Sequence, residues 1–176
     1  VGFYVMQVTN ANQAEMKMAI EEFGRKLRRD RVGLFFYSGH GIQYAGKNYM
    51  IPTDVSLDKP DELTEEAVEL NYVLSIMARA KNRLNILFLD ACRDNPFHGF
   101  QGFSKEKIKN GLAPINISEG MLIAYATAPN RIALDGPPGS NSPYTKHLKY
   151  FIEHSNLPIE FMLKKVRAAV KLETGG

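Results

Sequence analysis

Short runs of bulky apolar residues alternate along this chain with longer stretches in which apolar positions recur every three or four residues. The first run, Gly2-Phe3-Tyr4-Val5-Met6-Gln7-Val8, is aromatic and β-branched and predicts a strand. Asn12-Gln13-Ala14-Glu15 has capping-box spacing, an N-cap side chain with a glutamate three residues on. It opens a predicted helix reaching about Arg28, with Met16, Ile20, Phe23 and Leu27 on one face and Glu15, Lys17, Glu22 and Lys26 on the other. The apolar stripe reads as core, and the charge run from Lys26 to Arg31 as a solvated helix end. The second run, Val32-Gly33-Leu34-Phe35-Phe36-Tyr37, predicts a strand that ends in Ser38-Gly39-His40-Gly41. Gln43 to Ile51 predicts a small hairpin turning at Ala45-Gly46-Lys47-Asn48, and Pro52 to Glu66 reads as a polar, acidic loop.

Leu70, Val73, Leu74 and Met77 mark a second amphipathic helix. Leu84-Asn85-Ile86-Leu87-Phe88-Leu89 is the third run, and it breaks into charge at Asp90. Residues 93–120 form a long connection rich in Gly, Lys and Asn, and connections of that length are usually functional or flexible. Met121 to Ala126 is the fourth run, followed by a turn-rich loop from Pro129 to Pro143 that holds Asp135-Gly136. Two helices are predicted to close the chain, from about Tyr144 to Glu153 and from about Pro158 to Leu172. Ile159, Met162, Leu163, Val166 and Val170 form the buried stripe of the second. Runs this apolar read as strands covered on both faces, and their alternation with helices predicts an α/β fold with a mainly parallel central sheet.

Composition narrows the function classes. The 176 residues suit one domain, with 44% apolar and 23% charged residues and a net charge of +3. That charge is weak and scattered, so neither nucleic acid nor a membrane surface is an expected partner. No apolar run is long enough for a membrane span, and no glycine-rich phosphate loop follows a strand. The single cysteine excludes an internal disulfide and leaves the compartment open between cytoplasm and periplasm.

The chemistry gathers at two strand ends. Cys92 stands just past the third run, and chemistry in open α/β sheets collects at the carboxyl ends of strands. A lone cysteine is more often a small buried hydrophobe. The second strand end shifts that balance, because it carries a histidine between two glycines, which permit sharp turns and close approach by a ligand. The sequence thus offers a thiol and an imidazole, each at the end of its own strand.

Tyr37-Ser38-Gly39-His40-Gly41 followed by Asp90-Ala91-Cys92-Arg93-Asp94 resembles the caspase-like cysteine peptidases, whose histidine lies about 50 residues before a Gln-Ala-Cys motif. Asp90 in place of that Gln resembles the metacaspase, paracaspase and bacterial orthocaspase branch. Leu89 to Phe97, Tyr125-Ala126-Thr127-Ala128-Pro129 and Asn141-Ser142-Pro143-Tyr144-Thr145 resemble the bacterial members. The resemblance implies a three-layer caspase-like fold over residues 1–176. It also implies that the chain is a fragment without the family's first strand and helix and its last strand.

It further implies an endopeptidase. Cys92 would be the nucleophile, His40 the general base and acid, and the backbone N–H groups of Gly41 and Cys92 the oxyanion donors. The substrate would be a polypeptide with Arg or Lys at P1. Asp90, two residues before the nucleophile, shares its face in an extended segment and would select that cation. Asp135 is a second candidate for the pocket and equally a turn residue. Ser38 either lines the pocket or satisfies a turn. Asp94 reads as a structural partner or cap. Lys105, Lys107 and Lys109 are candidate self-cleavage sites in the 93–120 connection. His98, His147 and His154 match no metal spacing, and no cofactor is expected. The resemblance leaves calcium open, although Asp54, Asp58, Asp61 and Glu62 lack calcium-loop spacing. The alternative is a catalytically silent caspase-like interaction or scaffold module.

Overall fold

The computed structural model describes residues 2–55, 57, 59–92, 108–109, 112–115, 119–126, 134–154 and 156–175. Arg93, Asp94, His98, Lys105, Lys107, Asp58 and residues 127–133 lie outside the described residues, as does the side chain of Cys92.

Helix α1 (Gln13–Lys26) starts where its capping box requires, with Glu15 N bonded to Asn12 Oδ1 and Asn12 N bonded to Glu15 Oε2, both at 2.9 Å. Strand β1 (Val32–Tyr44) runs into β2 (Lys47–Met50) through a two-residue turn in which Ala45 and Gly46 both have positive φ. Helix α2 (Pro60–Glu66), β3 (Val68–Glu69) and α3 (Leu70–Ala80) lead to β4 (Leu84–Cys92). Then come β5 (Ile108–Lys109), β6 (Met121–Tyr125), α4 (Pro143–His154) and α5 (Ile159–Thr174).

The sheet order is β3-β2-β1-β4-β6, with β5 also paired to β1. Its centre is parallel: β1 runs beside β4 from Val32↔Leu84 to His40↔Cys92, and β4 beside β6 from Asn85↔Met121 to Leu89↔Tyr125. The strand period of two then sorts β4 into two cores. Leu87 and Leu89 pack with Ile20 of α1 and Val73 and Met77 of α3, whereas Ile86 and Phe88 pack with Tyr144 and Leu148 of α4 and Met162 and Val166 of α5. Helices therefore cover both faces, giving the expected three-layer caspase-like α/β fold. A smaller cluster of Ile42, Tyr49, Leu57, Leu63 and Ala67 seats α2 against the hairpin.

Several expectations need correction. Gly2–Val8 forms no strand, and Phe3, Tyr4, Val5 and Val8 are exposed. β-Propensity reports a fit to neighbouring strands, and among the described residues none pairs with this segment. β1 does not end at Tyr37, nor β4 at Leu89; both continue through the polar motif residues, because backbone pairing carries an extended strand past the end of its apolar run. The acidic loop contains α2, in which Pro60 occupies the first turn and Glu62 Oε2 accepts from Lys59 N at 3.0 Å. One fully buried leucine, Leu63, anchors it. Within the long connection, β5 pairs Lys109 with Gln43 and Ile108 with Tyr44.

Asn48 holds a second part of that connection. Its buried amide accepts from Ala113 N at 2.6 Å and donates to Ala113 O at 3.0 Å. Asn48→Ala leaves both backbone groups buried without a partner. It is expected to lower unfolding free energy by about 2–4 kcal/mol in urea titrations.

Candidate active site

The site forms where β1 changes neighbours. Up to His40 it lies beside β4; from Gly41 it pairs with β2, and at Gln43 and Tyr44 β5 occupies the side that β4 has left. The parallel pairing of β1 and β4 thus ends where β4 does, with His40 and Cys92 directly opposed in register. Neighbouring strands lie about 4.8 Å apart. The period of two puts positions 38, 40, 90 and 92 on one face of the sheet, the face of α4 and α5. His40 and Ser38 are exposed there, and Ser38 is the register partner of Asp90.

The glycines are needed for space and not for a turn, since neither Gly39 nor Gly41 has positive φ. A Cβ on Gly39 would lie 2.8 Å from the Tyr37 hydroxyl oxygen, and one on Gly41 would lie 3.0 Å from the Cβ of Ala91. Gly41 is buried, and a Cβ there would also touch Leu112, in the segment that Asn48 pins.

Asp90 is 5% exposed, and its carboxylate is spoken for by α4. Oδ2 accepts from the hydroxyls of Ser142 and Thr145, the latter at 2.5 Å. Ser142 Oγ in turn accepts from Thr145 N at 3.0 Å, the N-cap arrangement. A carboxylate at a helix N-terminus also meets the favourable end of the helix dipole. Beside it, Tyr144 is buried with no hydrogen-bond partner for its hydroxyl among the described residues. Burial, and then the charge of Asp90, push the Tyr144 phenol well above its ordinary range.

Asp135 is exposed, in the segment that leads into α4. The turn itself falls further on, with Ser140 N bonded to Pro137 O at 2.9 Å and Gly139 at positive φ. Gly136 packs directly on the backbone of Asn141. Gly136 follows Asp135, and Asn141 precedes Ser142, which holds Asp90. His147 and His154 lie away from this point on α4: His147 Nε2 is 2.6 Å from Glu173 of α5, and the His154 ring stacks on Tyr150. Among the described residues, no three His, Cys, Asp or Glu side chains converge as metal donors, and no helix is long and apolar enough to cross a membrane.

The structure adds Tyr37, Ser142 and Thr145 to the residues singled out from sequence. Ser142-Pro143 carried a local signal, an N-cap residue followed by a first-turn proline. The pairing of Ser142 and Thr145 with Asp90 carried none, because it spans 52 and 55 residues.

A three-layer α/β domain with histidine and cysteine opposed on neighbouring parallel strands is the architecture of a cysteine-protease-like domain. The chain matches the caspase domain family over residues 1–176 and belongs to it. It is 30% identical over 92 residues to the human mucosa-associated lymphoid tissue lymphoma translocation protein 1, covering 52% of this chain and 11% of that protein. The mouse homolog matches over the same length. A "Probable protease" of a Desulfuromonadales bacterium is 30% identical over 130 residues, 71% of this chain and 15% of that protein. The chain thus spans a small part of each relative's length.

Proposed function

We propose that the chain is the peptidase domain of a cysteine endopeptidase that cleaves after Arg or Lys. The observation that carries this reading is the register His40↔Cys92 where the parallel pairing of β1 and β4 ends, in a caspase-family chain. The Cys92 thiolate adds to the scissile carbonyl carbon; a C–S bond forms and the π pair moves to oxygen. The N–H groups of Gly41 and Cys92, which the register His40↔Cys92 engages in strand pairing, would have to turn from that pairing to bind the oxyanion. As the C–N bond breaks, protonated His40 gives its proton to the leaving amine. His40 then takes a proton from water, and the resulting attack on the thioester releases the acid and restores the thiol.

Asp90 is the selector of the P1 cation in this reading. Its Oδ2 is held by two hydroxyls, and among the described residues no donor reaches Oδ1. The carboxylate is therefore fixed in place with one oxygen left for a guanidinium or ammonium group. Ser38, the register partner of Asp90, and Asp135 would complete the pocket in this reading. The same specificity predicts self-cleavage after Lys105, Lys107 or Lys109 in the 93–120 connection.

Hydrolysis of two fluorogenic peptides, with Arg or Asp at P1, tests the reading in the full-length protein. Cleavage of the Arg peptide alone is expected. Cleavage of the Asp peptide would overturn the role of Asp90. Silence toward both, with calcium supplied, would favour an interaction module that has lost catalysis.

A further inference from the structure

Basic residues that look scattered along the sequence are gathered by the fold at the end of the sheet away from His40 and Cys92. Helix α1 ends in Arg25 and Lys26, and Arg28, Arg29 and Arg31 follow before β1. Helix α3 carries Arg79 in its last turn, with Lys81 at its C-cap and Arg83 just before β4. The two segments meet because β1 and β4 start in register at Val32↔Leu84. Arg83 N donates to Arg31 O at 3.3 Å, and Gly24 of α1 packs on Ile76 of α3. All eight cations are exposed. The acids adjoining them are Glu22, Asp30 and Glu119. Glu22 pairs with Arg25 at 2.7 Å and with Lys26 at 3.4 Å, and Asp30 lies 3.7 Å from Arg31. Arg79 donates to Ser75 O at 3.2 Å. Arg28, Arg29, Lys81 and Arg83 have no ion pair among the described residues.

Helix ends explain only part of this pole. A cation in a last turn offsets the negative end of the helix dipole, which accounts for Arg25, Lys26 and Arg79. The other five stand beyond the helices, and like charges set this close repel one another unless an anion lies against them. We propose that this pole docks on an anionic lipid bilayer. The cations come from helix ends in one layer and strand ends in the next, so they spread over a face and not along a line. A face of cations matches a plane of phosphate headgroups, whereas a nucleic-acid strand is tracked by a groove. Beside the cations, Lys26 Nζ lies 5.5 Å over the ring of Tyr4, and Tyr4 and Phe3 are both exposed. Aromatic side chains are favoured at the headgroup level of a bilayer. Eight strand steps lead from Val32 to His40, so at about 3.3 Å each the pair His40↔Cys92 stands about 26 Å from the docked face, on the side away from the lipid.

The test is sedimentation of the full-length protein with vesicles of phosphatidylcholine, alone or with about 30% phosphatidylglycerol. Binding is expected to the anionic vesicles only, and it should weaken as added salt screens the charges. Each cation near such a surface raises partitioning about fivefold. Arg28→Gln with Arg29→Gln, and separately Lys81→Gln with Arg83→Gln, should therefore each lower it about 25-fold. Tyr4→Ala should lower it about threefold. Arg167→Gln with Lys171→Gln makes the same change of charge at exposed positions of α5, outside the pole, and should leave partitioning within about twofold of wild type. Vesicle binding needs no peptidase activity, so this proposal and the peptidase reading stand or fall separately. Wild-type protein that ignores the anionic vesicles, or pole variants that bind them as wild type does, overturn the proposal. So does a loss that the α5 variant shares equally. Retention of a single-stranded oligonucleotide that the pole variants lose, with vesicles ignored, would assign the pole to nucleic acid and overturn the lipid assignment.

Discussion

Cys92→Ala is expected to abolish cleavage of an Arg-P1 peptide, lowering kcat by more than about 10³-fold, and His40→Ala to come close to it. The two losses should not add. A thiol without its base is mostly protonated at neutral pH, its ordinary pKa being about 8.5, and a base without its thiol has nothing to activate. The double variant should therefore match the weaker single variant within about tenfold. Both substitutions should leave folding nearly intact, since His40 is exposed and the pairing His40↔Cys92 uses only backbone groups. Steady-state kinetics with circular dichroism on each variant checks this. A histidine variant retaining more than a tenth of wild-type kcat would contradict the dyad.

Asp90 carries the second large effect, and two substitutions separate its two jobs. Asp90→Ala removes the acceptor of the Ser142 and Thr145 hydroxyls and leaves both partly buried without it at the start of α4. Hydrogen bonds to a charged group contribute about 1.5–3 kcal/mol each, so the variant should lose on the order of 3 kcal/mol of stability along with activity. Asp90→Asn keeps an amide oxygen for the hydroxyls and removes the charge. It should retain most of the stability and lose about 10²–10³-fold in kcat/KM for Arg and Lys peptides, the cost of leaving a substrate cation without its partner. Urea unfolding and P1-library kinetics read the two effects independently. If Asp90→Asn keeps its Arg preference, Asp90 is solely the anchor of α4.

Much of this fold was legible because each signal was local. Asn12 and Glu15 announce the start of α1, and the Met16–Ile20–Phe23 stripe does pack against the core beneath it. The apolar runs at 32–37, 84–89 and 121–126 are the three parallel strands. What was misread depends on neighbours. Gly2–Val8 has strand composition but, among the described residues, no strand beside it. Ser38 to Tyr44 and Asp90 to Cys92 lack apolar runs but inherit strand geometry from their pairing. Leu63 is a single anchor inside an acidic segment, too sparse a pattern to mark α2.

The candidate site divides in the same way. Residue type and position marked His40, Gly41, Cys92 and Asp90, and all four lie where the parallel pairing of β1 and β4 ends. The glycines pointed to the site for a different reason from the one expected: they yield room to Tyr37 and Ala91 and do not bend the chain. Ser142, Thr145 and Tyr37 act through contacts that only the folded sheet creates.

The most direct measurement of the central claim is covalent trapping. The full-length protein is treated with an acyloxymethyl ketone peptide bearing Arg at P1, with an Asp-P1 peptide as control, and digested for mass spectrometry. The account predicts an adduct on Cys92 from the Arg reagent alone, absent in Cys92→Ala and strongly slowed in His40→Ala. Intact Cys92 after exposure to the Arg reagent, or labelling that ignores the loss of His40, would contradict it.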